Sequence, residues 1–273
     1  MDHIIISECE RIHYFMQLAS YFSELADYPN VSFAHTNLVT DTWYNQAYNI
    51  HNTCNNNSQD TCRTVLENAT KYFADRNRDI CFYLTPATSL DGFTSYLEEQ
   101  GFIPFDEEAW MFYDYDKDTL RDYRSDIIIK TVKEEDLVVF SDVYKSSLPG
   151  PEVDKYIQCV VNGFFARTPL VDIKYYLAYI NDKAVGMLSY LSMGKYAGMY
   201  AIAVEQEFQK KGVCKSLVKH AVDFSKKNGV EYLFLQTGNG EDSQTAFKHM
   251  GFVTEFIRTG YVSKDSVEDI QHG

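Results

Sequence analysis

Residues 199–221, MYAIAVEQEFQKKGVCKSLVKHA, decide how the rest of this sequence is interpreted. They begin with a short apolar run that predicts a buried strand and continue through a turn that contains Gly212. From Val213 the apolar residues change to helical spacing, with Leu217 and Ala221 on one stripe. A strand that enters a helix through such a turn points the free N–H groups of the helix at one place. Because those donors and the helix dipole favour negative charge, the stretch predicts an anion site.

Known phosphate-binding turns differ in the residues they require. A Walker turn needs glycine directly before Lys-Ser, but Cys214 stands there and Gln209 occupies the place of the first glycine, so nucleotide hydrolysis is not predicted. The dinucleotide fingerprint is also missing. A strand, Q-x-x-G-x-(small residue) and a helix, in that order, resemble the pyrophosphate turn of the GNAT superfamily of N-acetyltransferases, whose pattern is Arg/Gln-x-x-Gly-x-Gly/Ala. Cys214 departs from the last position of that pattern but is still small.

The length and composition of the chain limit the classes of protein to which it can belong. With 273 residues, the chain is long enough for one large domain or two ordinary domains. Apolar residues at 45% and aromatic residues at 15% indicate a folded globular protein. The formal charge of -14 argues against partners such as nucleic acid or anionic membranes, which need basic patches, and permits a cationic acceptor.

The expected location is the cytoplasm. No run approaches the roughly 18 apolar residues of a membrane-spanning helix, and the apolar run near the N-terminus is too short for a signal peptide. The six cysteines show neither C-x-x-C spacing nor histidine partners at metal-binding spacing. We therefore expect reduced cysteines and no metal.

The second half of the sequence predicts, in order, a strand, two helices, three antiparallel strands, a helix, a strand, a helix and a strand. These elements are expected at 127–132, 134–147, 153–165, 175–180, 184–191, 199–204, 213–227, 232–236, 243–249 and 252–257. This is the element order of a complete GNAT fold, and Gly251-Phe252 resembles the family's ending of the short helix. The resemblance covers residues 126 to about 262.

The first half of the sequence resembles a degenerate copy of the second. A shift of 150 residues places Gly101-Phe102 over Gly251-Phe252, and a shift of 151 aligns apolar positions of the preceding helices. The turn before the corresponding helix reads NNNSQD and lacks the Q-x-x-G-x-G pattern. We therefore expect an α/β (α+β) fold of two tandem GNAT-like domains, each a mixed, mainly antiparallel twisted sheet flanked by helices. The degenerate domain is expected at 1–120 and the acetyl-CoA-binding catalytic domain at 126–273.

Local signals predict the remaining elements of the first half. Apolar spacing predicts a first helix over residues 12–25, which the turn around Pro29 ends. Residues 31–52 are expected to hold two short strands, and the polar run 53–61 an exposed loop. The charged run 114–125, nearly free of aliphatic residues, is the predicted linker between the domains.

The resemblance implies transfer of an acetyl group from acetyl-CoA to an amine. Backbone N–H groups from Lys210 to Cys214 would hold the pyrophosphate, and Gly212 would allow its close approach. The lysine side chains could balance the phosphate charge or form a solvated basic face. The positions implied to bind the coenzyme are Ile202, Ala203, Val204, Gln209, Lys210, Lys211, Gly212, Val213, Cys214, Lys215, Asn239, Ser243 and Phe247.

Two groups of these positions have a structural alternative. Main-chain groups of residues 202–204 could bind the pantetheine arm as an added strand, while their side chains belong to the core. Asn239 and Ser243 could contact the arm or cap the short helix, and capping is the preferred interpretation.

The catalytic groups are less well defined. In many family members a tyrosine four residues before the terminal glycine donates a proton to the sulfur, and Phe247 stands at that position here. Some relatives use a glutamate on the strand before the turn as general base, and the aligned residue is Gly198. Tyr190 and Tyr200, on neighbouring strands, are the candidates for proton transfer, or are structural.

Two functional hypotheses follow. The first is an acetyl-CoA-dependent N-acetyltransferase that acts on a primary amine through its second half. The second is a noncatalytic acyl-CoA-binding or protein-interaction module on the same fold, motivated by Phe247, Gly198 and the degenerate first half. The identity of the acceptor and the oligomeric state are left open.

Overall fold

The computed structural model of the chain describes residues 1–18, 20–52, 57–117, 120, 124, 126–166 and 168–266. The chain divides into two units, each of which combines a sheet with helices. Unit 1 contains Met1–Leu18, Phe22–Ala109 and Phe256–Gly273. Unit 2 contains Ala19–Tyr21 and Trp110–Glu255.

Unit 1 has the strand order β1-β2-β3-β4-β11-β5. Its elements are α1 (His3–Gln17), β1 (Glu24–Tyr28), β2 (Val31–His35), β3 (Gln46–Tyr48), α2 (Ser58–Ala74), β4 (Cys81–Leu84), α3 (Phe93–Glu99) and parts of β5 (Phe102–Tyr113) and β11 (Phe252–Ser263). The pairs β1–β2 and β2–β3 are antiparallel, and β3–β4 is parallel. Phe33 packs in a core with residues of α2 and α3, whereas the next residue, Ala34, packs with Tyr14 of α1. Helices therefore cover both faces of this sheet.

Unit 2 has the strand order β11-β5-β10-β9-β8-β7-β6. Its own elements are β6 (Ile128–Thr131), α4 (Leu137–Ser147), α5 (Val153–Phe165), β7 (Asp172–Ile180), β8 (Lys183–Met193), β9 (Tyr196–Val204), α6 (Val213–Lys227), β10 (Tyr232–Gly238) and α7 (Asp242–His249). The strands β6 to β9 pair antiparallel, and β9–β10 is parallel. Both units thus contain antiparallel pairs followed by one parallel pair. The predicted tandem α/β arrangement is confirmed.

The strands β5 and β11 are divided between the two units. Each has 12 residues, and their starts are 150 residues apart, as the sequence repeat predicts. Yet β4 lies beside β11, and β10 lies beside β5, so each half of the sequence supplies its last strand to the other half's sheet. The two compact units therefore differ from the predicted domains at 1–120 and 126–273. Those bounds describe the two sequence repeats and stay a prediction.

The first helix is present, but its predicted bounds, residues 12–25, are wrong. α1 begins at His3, where the Asp2 carboxylate accepts from the Ile4 N–H at 2.9 Å, and it ends at Gln17. Residues 24–28 form β1 instead, which pairs with β2 across the turn that contains Asn30 at φ 70°. Cross-strand pairing outweighed the weak local helical preference of this segment.

Some predictions fall on residues outside the described part of the chain. These residues include 53–56 of the predicted loop and 118, 119, 121–123 and 125 of the predicted linker. α2 already begins at Ser58. The described cysteines, at 9, 62, 81, 159 and 214, are free, and Cys54 lies outside the described residues.

Unit 1 contains a buried charged cluster that sequence reasoning missed. Arg258 is 2% exposed and donates from Nε and Nη2 to Oε2 of Glu108, at 3.0 and 2.7 Å. Its Nη1 donates to the Tyr14 hydroxyl at 2.8 Å, and its guanidinium lies 3.9 Å from the centre of the Tyr83 ring. Glu10 is also buried, and its Oε1 has no hydrogen-bond partner within the described residues.

Glu10→Gln is expected to stabilise the protein at pH 8 but not at pH 5. Burial raises the pKa of Glu10 to about 7, although the charge of Arg258 opposes this rise. Because the folded carboxyl binds its proton more tightly than the unfolded one, the wild type loses stability as the pH rises from about 4.5 to above 7. Glutamine stays neutral, so the gain at pH 8 is about 3 kcal/mol.

Urea unfolding at both pH values measures this difference. Glu67→Gln, at an exposed position of α2, is the control and should change the free energy of unfolding little at either pH. Equal effects of Glu10→Gln at pH 5 and pH 8 would contradict the expectation of a neutral carboxyl in the folded state.

Candidate coenzyme site

The strands β9 and β10 separate before they end. Their parallel pairing ends with Phe234 opposite Gly198. β9 nevertheless continues to Val204 and β10 continues to Gly238. Beyond Gly198, the two facing main-chain edges are not paired with each other over the described residues. An extended chain of amides can bind to such an edge as an added strand.

A β-bulge in β9 adds to this separation. The register between β8 and β9 shifts between Met187 and Ser189. Ala201, at the shift, has φ 47°, which is uncommon for a residue with a side chain. A bulge bends its strand and re-aims the residues that follow. Those residues are 202–204, the positions predicted to bind pantetheine.

The turn before α6 leaves the start of the helix open. Gly212 is the N-cap, with φ 89° and ψ 0° and without a side-chain cap. Ser216 N–H donates to the Gly212 carbonyl at 3.0 Å, so the N–H groups before Ser216 have no partner within the helix. A Cβ at Gly212 would lie 3.7 Å from Cδ of Arg124, which is ordinary contact. The positive φ, rather than crowding, therefore requires glycine here.

The corresponding helix start in unit 1 is closed. The Asn57 side chain caps α2 by accepting from the Gln59 N–H at 3.2 Å. Asp60 adds a negative charge in the first turn of α2, where the helix dipole favours such a charge. The protein's own groups thus occupy the place that an anion would take at α2. Of the two helices, α2 and α6, only α6 has an uncapped N-terminus.

Apolar packing fixes α6 on the sheet. Val213, Leu217 and Ala221 are all buried, as the predicted stripe requires. Gly186 of β8 allows this close approach, because a Cβ there would lie 2.8 Å from Cγ1 of Val213. The direction of α6, and therefore of its free N–H groups, is set by this contact.

The polar residues of the turn are accessible. Lys210, Lys211 and Lys215 are exposed. Gln209 is exposed as well, and its Nε2 donates to the carbonyl of the last residue of β9 at 3.4 Å. Burial raises the pKa of the Cys214 thiol to about 11, so this side chain stays neutral at pH 7. The local charge is consequently positive, which favours phosphate.

The structure does not bring the two candidate tyrosines together. Tyr200 is opposite Ser189 in the β8–β9 ladder, whereas Tyr190 is opposite Met199. Because side chains alternate along a strand, the two tyrosines point to different faces. The Tyr190 hydroxyl lies 2.9 Å from Oγ of Ser225 in α6, and burial raises the pKa of Tyr190. This packing favours the structural alternative for Tyr190.

The ring of Tyr200 folds back over Gly198. A Cβ at position 198 would lie 2.6 Å from Cε2 of Tyr200 and closer still to its hydroxyl oxygen. The hydroxyl thus fills the space that a side chain at position 198 would need. Sequence reasoning treated Gly198 only as the loss of a general base. In the structure, the missing side chain makes room for the Tyr200 hydroxyl at the point where β9 and β10 separate.

The capping role preferred for Asn239 and Ser243 is wrong. α7 begins at Asp242 with Glu241 as its N-cap, and no side chain caps it. Ser243 lies inside the helix and donates to Oε2 of Glu241 at 3.3 Å. Asn239 Oδ1 accepts from Nε2 of Gln244 at 3.5 Å. The helix starts earlier than predicted, so these side chains are at the wrong positions for capping.

Phe247 belongs to the apolar core of unit 2. It is 8% exposed, and its ring lies 5.8 Å from that of Phe252 in an edge-to-face arrangement. A phenyl ring carries no proton for a leaving thiolate. Any general acid in this unit must come from another element.

These features are typical of α/β proteins in which a strand, an open turn and a helix form an anion site. Residues 139–252 match the model of the Acetyltransferase (GNAT) family. This part of the chain is therefore similar to the GNAT family. The comparison with curated proteins found no match.

Solved structures with the same fold include a tandem GNAT protein. A GCN5-related N-acetyltransferase from Kribbella flavida has a TM-score of 0.71 at 11% identity, over 95% of this chain and 94% of that chain. A tandem GNAT protein from the clavulanic acid biosynthesis pathway has a TM-score of 0.62 at 11% identity, over 85% and 78%. A GCN5-related N-acetyltransferase from Sphaerobacter thermophilus has a TM-score of 0.63 at 10% identity, over 85% and 76%. These likenesses show the fold and support the tandem arrangement.

No group of three or more His, Cys, Asp or Glu side chains in the described residues is arranged to hold a metal ion. No helix in this part of the chain is both long and apolar enough to cross a membrane.

Proposed function

We propose that this protein is an N-acetyltransferase that moves an acetyl group from acetyl-CoA to a primary amine. The observation that carries the proposal is the opening between β9 and β10, which leads to the uncapped start of α6 at Gly212. The matched family domain covers both features. The proposed reaction takes place in the cytoplasm and needs no metal.

The coenzyme would bind along this opening with its pyrophosphate at the N–H groups of residues 210–214. Its pantetheine arm would then run back along the unpaired edge of β9, from Val204 towards Gly198. In that direction the acyl end reaches the point where the two strands meet. The hydroxyl of Tyr200, folded over Gly198, is the proton-carrying group at this point.

The proposed chemistry is direct attack of the neutral amine on the thioester carbonyl. A carbon–nitrogen bond forms, and a backbone N–H in the bulged part of β9 stabilises the oxyanion, which is worth about 3 kcal/mol for a well-placed donor. The carbon–sulfur bond then breaks. The thiolate takes the proton of the Tyr200 hydroxyl, and the tyrosinate regains a proton from the product nitrogen through water.

A noncatalytic acyl-CoA-binding module is the second candidate. Phe247 favours it, because the position that carries a tyrosine in many relatives is here a buried phenyl ring. Binding alone would use the same turn and the same strand edge. The two candidates differ only in whether an amine causes release of the coenzyme thiol.

Calorimetric titration of the full chain with acetyl-CoA tests both candidates first. Saturable binding near one equivalent would support the site, and no binding at millimolar acetyl-CoA would contradict both. Thiol release with a panel of primary amines then separates them. Release that depends on the amine supports the transferase, whereas binding without any such release supports the module.

A further inference from the structure

Arg124 lies at the coenzyme turn although it comes from the segment before β6, outside the matched family domain. Its Nη1 donates to the main-chain carbonyl of Lys211 at 3.2 Å. Its Nε and Nη2 donate to the two carboxylate oxygens of Asp126, at 2.9 and 2.6 Å. This interaction also holds the pKa of Asp126 below its usual value. One guanidinium thus joins the Asp126 carboxylate to the turn.

The bond to the Lys211 carbonyl fixes the peptide unit between Lys211 and Gly212. In a trans peptide the C=O and N–H groups point in opposite directions. A carbonyl held towards Arg124 therefore turns the Gly212 N–H to the other side of the turn. That N–H is among the donors proposed to bind the pyrophosphate. Gly212 has wide conformational freedom. An external contact that fixes its peptide unit therefore reduces the conformational entropy that is lost when the coenzyme binds.

We propose that Arg124 is a positioning residue for coenzyme binding, and this inference rests on the proposed function. It acts by holding the Lys211 carbonyl, with Asp126 as the anchor for its guanidinium, rather than by touching a phosphate. The bidentate contact with Asp126 requires the planar guanidinium group of arginine, which lysine does not have. The effect on affinity therefore depends on the shape of the side chain and not only on its charge.

Three variants separate positioning from direct charge attraction, with the dissociation constant for acetyl-CoA as the readout. Arg124→Ala should weaken binding about tenfold, the usual effect of losing one charged hydrogen bond. Arg124→Lys keeps the charge but not the planar guanidinium group, so it should weaken binding similarly. Asp126→Ala removes a negative charge near the turn. Positioning predicts weaker binding for it, whereas simple electrostatics predicts tighter binding.

Arg63→Ala is the matched control. Arg63 is an exposed arginine that pairs with Asp60 at 2.8 Å in the first turns of α2, the helix whose start is closed. Its loss should leave acetyl-CoA binding unchanged. Thermal unfolding of each variant confirms that the fold is retained, since Arg124 is about half exposed.

The outcomes distinguish this inference from the proposed function. A wild-type protein that does not bind acetyl-CoA would overturn both. Wild-type binding with unchanged affinity in Arg124→Ala would overturn only the role of Arg124. Wild-type affinity in Arg124→Lys, together with tighter binding by Asp126→Ala, would overturn positioning as well, because it would show that charge alone matters.

Discussion

Gly212→Glu is expected to abolish acetyl-CoA binding while the protein remains folded. Gly212 is the N-cap of α6, and its backbone at φ 89° leads into the first N–H groups of the helix, which form the proposed anion site. A glutamate would add a negative charge at the start of the helix, so it would repel the phosphates that are proposed to bind there. We expect at least a hundredfold loss of affinity, about 3 kcal/mol, measured by calorimetric titration.

Gly229→Glu is the matched control for this substitution. Gly229 follows the other end of α6 and has φ 71°, and a Cβ added there would meet no atom within 4 Å. Both variants therefore carry a similar backbone cost of about 1 to 2 kcal/mol. Gly229→Glu should bind acetyl-CoA like the wild type. If Gly212→Glu still binds acetyl-CoA, the coenzyme does not bind at this turn.

Tyr200→Phe is expected to lower amine-dependent thiol release by about 10²-fold, the low end for loss of general acid catalysis. Acetyl-CoA affinity should change little, because the proposed coenzyme contacts are made by the main chain. The fall should therefore appear in kcat and not in KM for acetyl-CoA. The assay uses an amine that the panel identifies as an acceptor.

Two companion variants sharpen this test. Tyr190→Phe removes the same hydroxyl from the other face of the sheet, where it contacts Ser225, and should keep wild-type kcat. Gly198→Ala introduces a Cβ into the space of the Tyr200 hydroxyl, so it should displace the ring and lower kcat as Tyr200→Phe does. A Tyr200→Phe enzyme as fast as the wild type would leave the ring with a packing role only.

The interpretation of the second half from sequence depended on local patterns, and the structure confirms its element order. Apolar spacing predicts a helix over residues 153–165, which form α5, and the turn at 181–182 joins β7 and β8. Such predictions succeed because apolar spacing and turn residues act over a few neighbours. The predicted end of the first helix is wrong because residues 24–28 pair with β2. The spacing of apolar residues along the chain carries no information about a strand partner.

The sequence by itself determined the tandem α/β fold, the strand–turn–helix at residues 199–221 and the glycine at position 212. These features follow from short-range periodicity and from the conformations that single residues allow. Only the tertiary structure decided that β5 and β11 change places, that Arg258 meets Glu108 across 150 residues, and that Arg124 reaches Lys211. Each of these contacts joins residues far apart in the chain. Their geometry depends on the packed fold as a whole, and no local pattern specifies it.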